Sequence, residues 1–243
     1  MSVWAGATIV VGHRGGRGDG WPPENTIPAF EQAVRQGASA IELDVRTCAA
    51  SDAAVVFHDA TLSRATRGRD GRSVSDLELG ELRAMGVPTL DAVLSWARAL
   101  GIGVNVEMKH DVVSRAALVR ATARAVRATR ADVLFSSFDP LLLGLVAFAA
   151  PSVPRALLVR PGQPKWADAL QRAARPPLFG WLHMERAQVD PAALVGCARR
   201  GVRVGVWTVN DPREAVDLVG RGVASIITDD AGAVSKALSF TRN

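Results

Sequence analysis

The sequence has little of what would settle its class at once. Its two cysteines, Cys48 and Cys197, are far apart and have no metal-like spacing, which excludes a disulfide framework and a cysteine zinc site. Reduced thiols in the cytoplasm are the expectation. No apolar run approaches the roughly 18 residues of a spanning helix. Met1 to Val11 has no basic region followed by a long apolar stretch, so neither a signal peptide nor stable membrane insertion is expected. Lysine occurs only at Lys109, Lys165 and Lys236, so the net charge of +5 rests on arginine. The arginines are scattered, as in Arg115 to Arg130, and not gathered in a basic run interleaved with aromatics. That pattern argues against a nucleic-acid partner, while the mild basic excess favours small anionic ligands. Gly15-Gly16-x-Gly18 lacks the Gly-x-Gly-x-x-Gly and Gly-Lys-Ser/Thr forms of phosphate loops and reads as a flexible turn. Ser136-Ser137 has no histidine at a recognisable spacing, which argues against a serine nucleophile.

What is present fits one unit. The chain has 243 residues, 48% of them hydrophobic and 22% charged, and an α/β barrel commonly uses about 250 residues in a single domain. Eight short apolar runs begin with Thr8–Gly12, Ala40–Val45, Gly103–Met108 and Val133–Phe138, and continue with Arg155–Val159, Leu178–Leu182, Val202–Thr208 and Ala224–Thr228. Segments with helical spacing follow nearly all of them. This alternation predicts a (β/α)8 TIM barrel occupying residues 1–243. Asp139-Pro140, Asp190-Pro191 and Asp211-Pro212 read as helix starts, and Gly37, Gly101, Gly201 and Gly222 as helix ends. A further run, Ala53–Phe57, follows the second strand too closely for a helical crossover and reads as a hairpin return. Residues 59–87 then form an irregular insertion before a helix near Leu90–Leu100. An insertion of that length in a barrel is expected to shape the substrate site.

Barrel enzymes place their sites at the carboxyl ends of strands, so polar residues ending apolar strands are the ones to question. His13-Arg14 closes the first run, and Glu107-x-Lys109 closes the third. In the second, Glu42 and Asp44 alternate with Ile41, Leu43 and Val45, which puts both carboxylates on one face. Like charges inside a barrel repel. With Glu107 beside them, the compensating group is expected to be one divalent cation, Mg2+ or Ca2+, because carboxylate oxygens suit hard ions. The competing account pairs these carboxylates with barrel arginines. His13 and His58 both follow apolar strands and have the pKa range for moving protons near neutrality. Phosphodiester cleavage needs two such groups, and Arg14 and Lys109 would hold the phosphate. His183 reads as structural packing, His110 as solvent-facing, and Trp207 either packs the barrel top or stacks on a ligand.

Several segments resemble the glycerophosphodiester phosphodiesterase family. Gly12-His13-Arg14-Gly15 and Pro23-Glu24-Asn25-Thr26 match its opening. Ile41-Glu42-Leu43-Asp44-Val45, Val56-Phe57-His58-Asp59, Val106-Glu107-Met108-Lys109, Ser136-Ser137-Phe138, Trp207-Thr208-Val209-Asn210 and Ile227-Thr228-Asp229 match its later blocks in order. The resemblance implies a metal on Glu42, Asp44 and Glu107, acid–base histidines at His13 and His58, and phosphate contacts from Arg14 and Lys109. It further implies that Glu24 and Asn25 shape the site from the first loop and that Trp207 lies near the glycerol. The implied reaction takes a small glycerophosphodiester to glycerol 3-phosphate and an alcohol, in lipid and glycerol metabolism. One departure is the turn from Thr47 to Ala53, where the family usually carries Thr-x-Asp-Gly. Two other functions compete. A lysophospholipid or related lipid substrate calls for an exposed apolar rim, whereas 59–87 is polar and carries Arg64, Arg67, Arg69 and Arg72. A non-catalytic module binding phosphorylated metabolites calls for a missing key group, and none is missing.

Overall fold

The structure, a computed structural model, describes residues 1–6, 8–49 and 53–240. Among these, strands β1 (Ile9–His13), β2 (Ala40–Thr47), β3 (Ala54–Val56), β4 (Gly103–Met108) and β5 (Val133–Ser137) come first. They are followed by β6 (Arg155–Val159), β7 (Trp181–Glu185), β8 (Arg203–Trp207) and β9 (Ser225–Thr228). All but β3 pair in parallel, and β1 hydrogen-bonds to both β2 and β9, which closes an eight-stranded barrel. A (β/α)8 barrel is the fold. The short β3 runs antiparallel to β2, with Val45 opposite Val56, so it is the hairpin return expected of that run.

Helices cover the outside. After β1 comes α1 (Ile27–Arg35); after β3 come α2 (Leu79–Ala84) and α3 (Leu90–Leu100). Each later strand is followed by one helix: α4 (Arg115–Thr129), α5 (Pro140–Ala149), α6 (Lys165–Ala173), α7 (Pro191–Arg199), α8 (Pro212–Gly220) and α9 (Ala231–Phe240). The three Asp-Pro pairs behave as expected: Asp139, Asp190 and Asp211 each accept a backbone N–H of their own first turn. No helix among the described residues is long and apolar enough to cross a membrane.

Alternation along each strand decides what faces the lumen. Ile41, Leu43 and Val45 join the apolar shell between sheet and helices, while Ala40 belongs to a smaller cluster inside the barrel with Ile9, Val11, Leu134, Trp181 and Ile227. Glu42, Asp44 and Arg46, at two-residue steps from Ala40, share its face. One end of the lumen is plugged by Trp4, edge-on to Trp181 with centroids 6.1 Å apart, and Arg203 stacks on Trp181 at 4.4 Å. The polar strand termini His13, Glu107 and Lys109 line a pocket of their own.

Three expectations change. The seventh strand starts three residues later than its sequence suggests, because Pro176 and Pro177 have no N–H to offer a ladder and the carbonyls of Pro177 and Leu178 are taken by Arg155. His183 consequently sits inside β7 and not at its end. The 59–87 insertion is more ordered than expected: it contains α2 and a core of its own, in which Leu62, Val74, Leu77 and Leu82 pack on Val55. Of the unusual turn after Thr47, residues 50–52 lie outside the described residues.

The glycine segment is the third change, since it is a tightly packed turn and not a flexible one. Gly15 has φ +91°, and a Cβ there would lie 2.7 Å from the backbone of Ala29. Gly20 is also left-handed, at φ +76°, but faces open space. Gly15→Ala is therefore expected to cost about 3 kcal/mol, strain plus overpacking, and Gly20→Ala about 1 kcal/mol. Urea denaturation of the two variants checks the difference.

Candidate active site

The site is assembled from strand ends held in place by the first loop. Arg14 and Asn25 both adopt left-handed backbone, φ 52° and 60°, and the Asn25 N–H donates to the Arg14 carbonyl at 2.9 Å. The loop therefore closes over β1. From this position the Asn25 amide donates to Asp44 Oδ2 at 2.9 Å and its carbonyl accepts the Asp44 N–H at 3.2 Å. The Arg14 N–H donates to Glu42 Oε2 at 3.0 Å.

Glu42, Asp44 and Glu107 each present an oxygen, and the three oxygens lie within 4.8 Å of one another. Two bases answer them. Lys109 Nζ donates to Asp44 at 3.1 Å and to Glu107 at 2.8 Å, and Arg14 Nε lies 3.1 Å from Asp44 and its Nη1 3.3 Å from Glu24. Both accounts offered by the sequence thus meet here: the carboxylates are paired with bases, yet three acids face two bases. One negative charge is left over, on a group of oxygens close enough for an ion with metal–oxygen distances of about 2.0–2.6 Å. The donor set fits a hard divalent cation.

His13 and His58 each have Nδ1 on a carboxylate that had no part in the expected site. Asp229 Oδ1 is 2.7 Å from His13 Nδ1, and Asp59 Oδ1 is 2.6 Å from His58 Nδ1. Burial alone would raise the Asp229 carboxyl, but the hydrogen bond and charge of His13, with Asn210 and Arg17, hold it below the usual range. Burial would likewise raise Asp59, but the hydrogen bonds and charges of His58 and Arg64 hold it below the usual range. Ionised carboxylates only accept, so Nδ1 donates in both pairs and Nε2 is the nitrogen left for chemistry. Burial, and then the charges of Lys109 and Arg14, depress His58 despite Asp44 and Asp59. Behind the pairs stand further clamps: Asn210 donates to Asp229 Oδ2, Arg64 bridges Asp59 and Glu24, and Arg46 donates to the His58 carbonyl while gripping Asp111.

These groups open on one pocket of about 260 Å³, whose lining combines the polar His13, Arg14, Glu42, His58, Glu107 and Lys109 with the apolar Phe138, Leu158, Trp207 and Ile227. Trp207 spends its Nε1–H on the His183 carbonyl at 3.1 Å and stands edge-on to Phe138 at 5.8 Å, so its ring is a fixed part of the pocket wall. Glu24 and Asn25 instead line a neighbouring cavity beside Trp21 and His58, with their polar atoms engaged by Arg14, Arg17, Arg64 and Asp44. His110 is exposed, as expected, but also lines the pocket rim. His183 is buried against Trp181 and outside the pocket. Signals for Asp59 and Asp229 existed, one adjacent to His58 and the other ending a strand. No local pattern joins His13 to a residue 216 positions away.

Burial, followed by Asp44 and Glu107, raises Glu42 well above the usual glutamate range, with Arg14 opposing. Burial works against Asp44 ionisation too, but Lys109, Arg14, His58 and the Asn25 hydrogen bond hold Asp44 far below its usual range. The contribution of neutral Glu42 is complete below the ordinary glutamate range and is lost as pH rises through its raised value; that of Asp44 is present above the ordinary aspartate range and lost on acidification. Chelated protein is expected to melt lower as pH rises above the ordinary glutamate range, and added Mg2+ or Ca2+ to reverse the trend by binding the ionised form. Glu42→Gln should raise the melting point of chelated protein by roughly 2–4 °C and remove its response to cation. Thermal melts across pH, with chelator and with cation, measure both.

The model of the glycerophosphoryl diester phosphodiesterase family matches residues 13–233. A glycerophosphodiester phosphodiesterase of Caldanaerobacter subterraneus is 31% identical over 239 residues, covering 92% of this chain and 94% of the relative. Among solved structures, a Silicibacter pomeroyi protein named as a candidate member of the family superposes with TM-score 0.84 at 27% identity, over 97% of this chain and 94% of the other. An Oleispira antarctica phosphodiesterase, solved with its product sn-glycerol-3-phosphate, shares the fold with TM-score 0.80 at 24% identity, over 95% and 96% of the two chains. The chain belongs to the glycerophosphoryl diester phosphodiesterase family, and is an enzyme of it and not a binding module.

Proposed function

We propose that this enzyme hydrolyses small glycerophosphodiesters to glycerol 3-phosphate and an alcohol, with one divalent cation, Mg2+ or Ca2+, on Glu42, Asp44 and Glu107. It would act as a single barrel unit over residues 1–243, with 59–87 as its insertion. The observation that carries the reading is a charge balance. The cluster sets three carboxylates against Arg14 and Lys109, so a divalent ion makes it one unit positive, which suits the single negative charge of a phosphodiester. The bound ion would act as a Lewis acid on the phosphoryl oxygens.

The remaining steps belong to the protein. Arg14 and Lys109 both line the pocket and would hold the phosphate, their charges offsetting what develops on its oxygens. One histidine takes a proton from the nucleophile through Nε2 and the other gives a proton to the departing alcohol. Asp229 and Asp59 act through them, fixing ring orientation and tautomer and stabilising each imidazolium as it forms. Trp207 and Phe138 form the wall against which the glycerol would lie. The nucleophile is either water or a neighbouring glycerol hydroxyl, and the second route passes through a cyclic phosphate that phosphorus NMR would detect.

With glycerophosphocholine as substrate, exhaustive chelation should abolish turnover and Mg2+ or Ca2+ restore it. His13→Ala and Glu42→Ala should each lower kcat by roughly 10²–10⁴-fold. Asp229→Asn should cost about 10–100-fold and distort the pH–rate profile, because it alters the proton inventory of His13. Hydrolysis unchanged in both alanine variants would end the proposal, and activity surviving chelation would end its metal clause.

A further inference from the structure

Arg46 is a buried base that the proposed chemistry does not use. It follows Glu42 and Asp44 on the inward face of β2, is only 4% exposed, and does not line the pocket that holds Arg14 and Lys109. Burying a guanidinium is unfavourable unless partners meet its donors, so a base placed here needs a reason other than phosphate binding. Its partners supply one. Nε donates to the His58 carbonyl at 2.8 Å, Nη1 to the Asp111 carbonyl at 3.0 Å, and Nη2 to both Asp111 carboxylate oxygens, at 2.8 and 2.9 Å. Burial would raise the Asp111 carboxyl, but the hydrogen bond and charge of Arg46 hold it below the usual aspartate range.

The two ends of this clasp belong to different loops. His58 lies two residues beyond β3, where the insertion begins, while Asp111 lies three beyond β4 and two beyond Lys109. Between the loops is a small cavity of about 70 Å³, lined by Arg46 and Thr47 from β2, Ala60 and Ser73 from the insertion, and Asp111 and Val113 from the β4 loop. The loops thus face each other without close packing at this point, and Arg46 spans them. A guanidinium is planar and holds its donors in a fixed fork. Loops bound to different edges of one such plane cannot change their separation without losing a charge-assisted hydrogen bond. A lysine ammonium is a point charge and would reach one loop at the expense of the other.

We propose that Arg46 is a positioning residue for the reaction: it fixes the distance between the loop carrying His58 and the loop carrying Lys109, so that the proton-transfer group and the phosphate-binding group meet the same phosphorus. The proposal rests on the phosphodiesterase reading above and adds to it the means by which both loops are registered to the strand that carries Glu42 and Asp44. Arg46 acts through these loops and not on the substrate. Each side chain is also held locally, His58 by Asp59 and Lys109 by Asp44 and Glu107. Those contacts orient each group within its own neighbourhood, and Arg46 relates one neighbourhood to the other. Turnover is sensitive to that relation, since a misplacement of about 1 Å can cost on the order of 10²-fold in rate.

The test measures kcat and KM for glycerophosphocholine, with Mg2+ and with Ca2+, in Arg46→Lys, Asp111→Asn and the double variant. Arg46→Lys is expected to lower kcat roughly 10–100-fold, while KM and the rise in melting point on adding cation stay within about twofold of wild type. Asp111→Asn keeps the carbonyl and the side-chain shape but loses the charge, and should lower kcat roughly threefold to tenfold. Because both changes act on one clasp, the double variant should lose no more than Arg46→Lys alone. The Asp111 side chain is 48% exposed, so Asp111→Asn keeps its fold and gives an answer independent of how Arg46→Lys folds. A kcat within about twofold of wild type in either folded variant overturns the proposal. So does a fall in kcat that comes with a matching loss of the cation response, which marks a merely structural role. Losses that multiply in the double variant overturn the shared clasp. Inactivity of the wild type toward every diester, with cation present, overturns the phosphodiesterase reading and this one with it.

Discussion

Three carboxylates inside a barrel repel one another, and much of the upper half of this molecule is arranged around that repulsion. Glu42 and Asp44 are fixed on one face of β2 by strand pleat, and Glu107 is the register partner of Asp44 on β4, so the fold gives them no means of moving apart. The surroundings respond unevenly. Asp44 receives Lys109, Arg14 and both ends of the Asn25 amide, while Glu42 receives the Arg14 backbone N–H, a share of its charge and, at 4.0 Å, the Nε2 of His13. The deficit is therefore concentrated on one residue. A site balanced completely by its own bases would hold a cation weakly; this one keeps its surplus charge where a cation can reach it.

The same logic of indirect support runs through the histidines. Neither ring is held by its own strand alone: His13 depends on Asp229 from the end of β9, and His58 on Asp59, which Arg64 holds from the insertion. Arg46, the inward residue after Asp44 on β2, reaches the His58 carbonyl and Asp111. The insertion is thus tied to the barrel by ion pairs that converge on a catalytic candidate. This explains why a segment with its own small core is placed after β3 and not elsewhere on the outer surface.

The barrel was legible because each strand advertises itself locally. Ile41-Glu42-Leu43-Asp44-Val45 carries the inward and outward faces in its alternation, and Asp-Pro pairs mark three helix starts whose caps form as read. The carboxylate trio was legible for the same reason, as polar residues in strand positions that ought to be apolar. Asp229 and Asp59 were present in the matched segments, but a partnership spanning β1 and β9 exists only once the barrel closes. The glycine segment was misread because composition reports freedom, whereas Gly15 is glycine for want of space above Ala29.

Between the apolar plug at one end and the charged mouth at the other lies a layer that is neither. Asn105, Ser136, His183 and Ser225 are buried, and their side-chain polar atoms have no protein partner. Gly205 makes room for two of them: a Cβ there would lie 2.4 Å from Ser225 Oγ and 2.7 Å from the His183 ring. Burial pushes His183 down to about 3, so it contributes a dipole and no charge. Hydrocarbon at this depth would strengthen the repulsion among the carboxylates above by lowering the local dielectric. Dipoles whose hydrogen bonds are not committed elsewhere can turn toward those charges and soften it. A fully apolar lumen would pack better, but it would leave Glu42 still harder to ionise, and an unionised Glu42 cannot serve the cation on which the proposed chemistry depends.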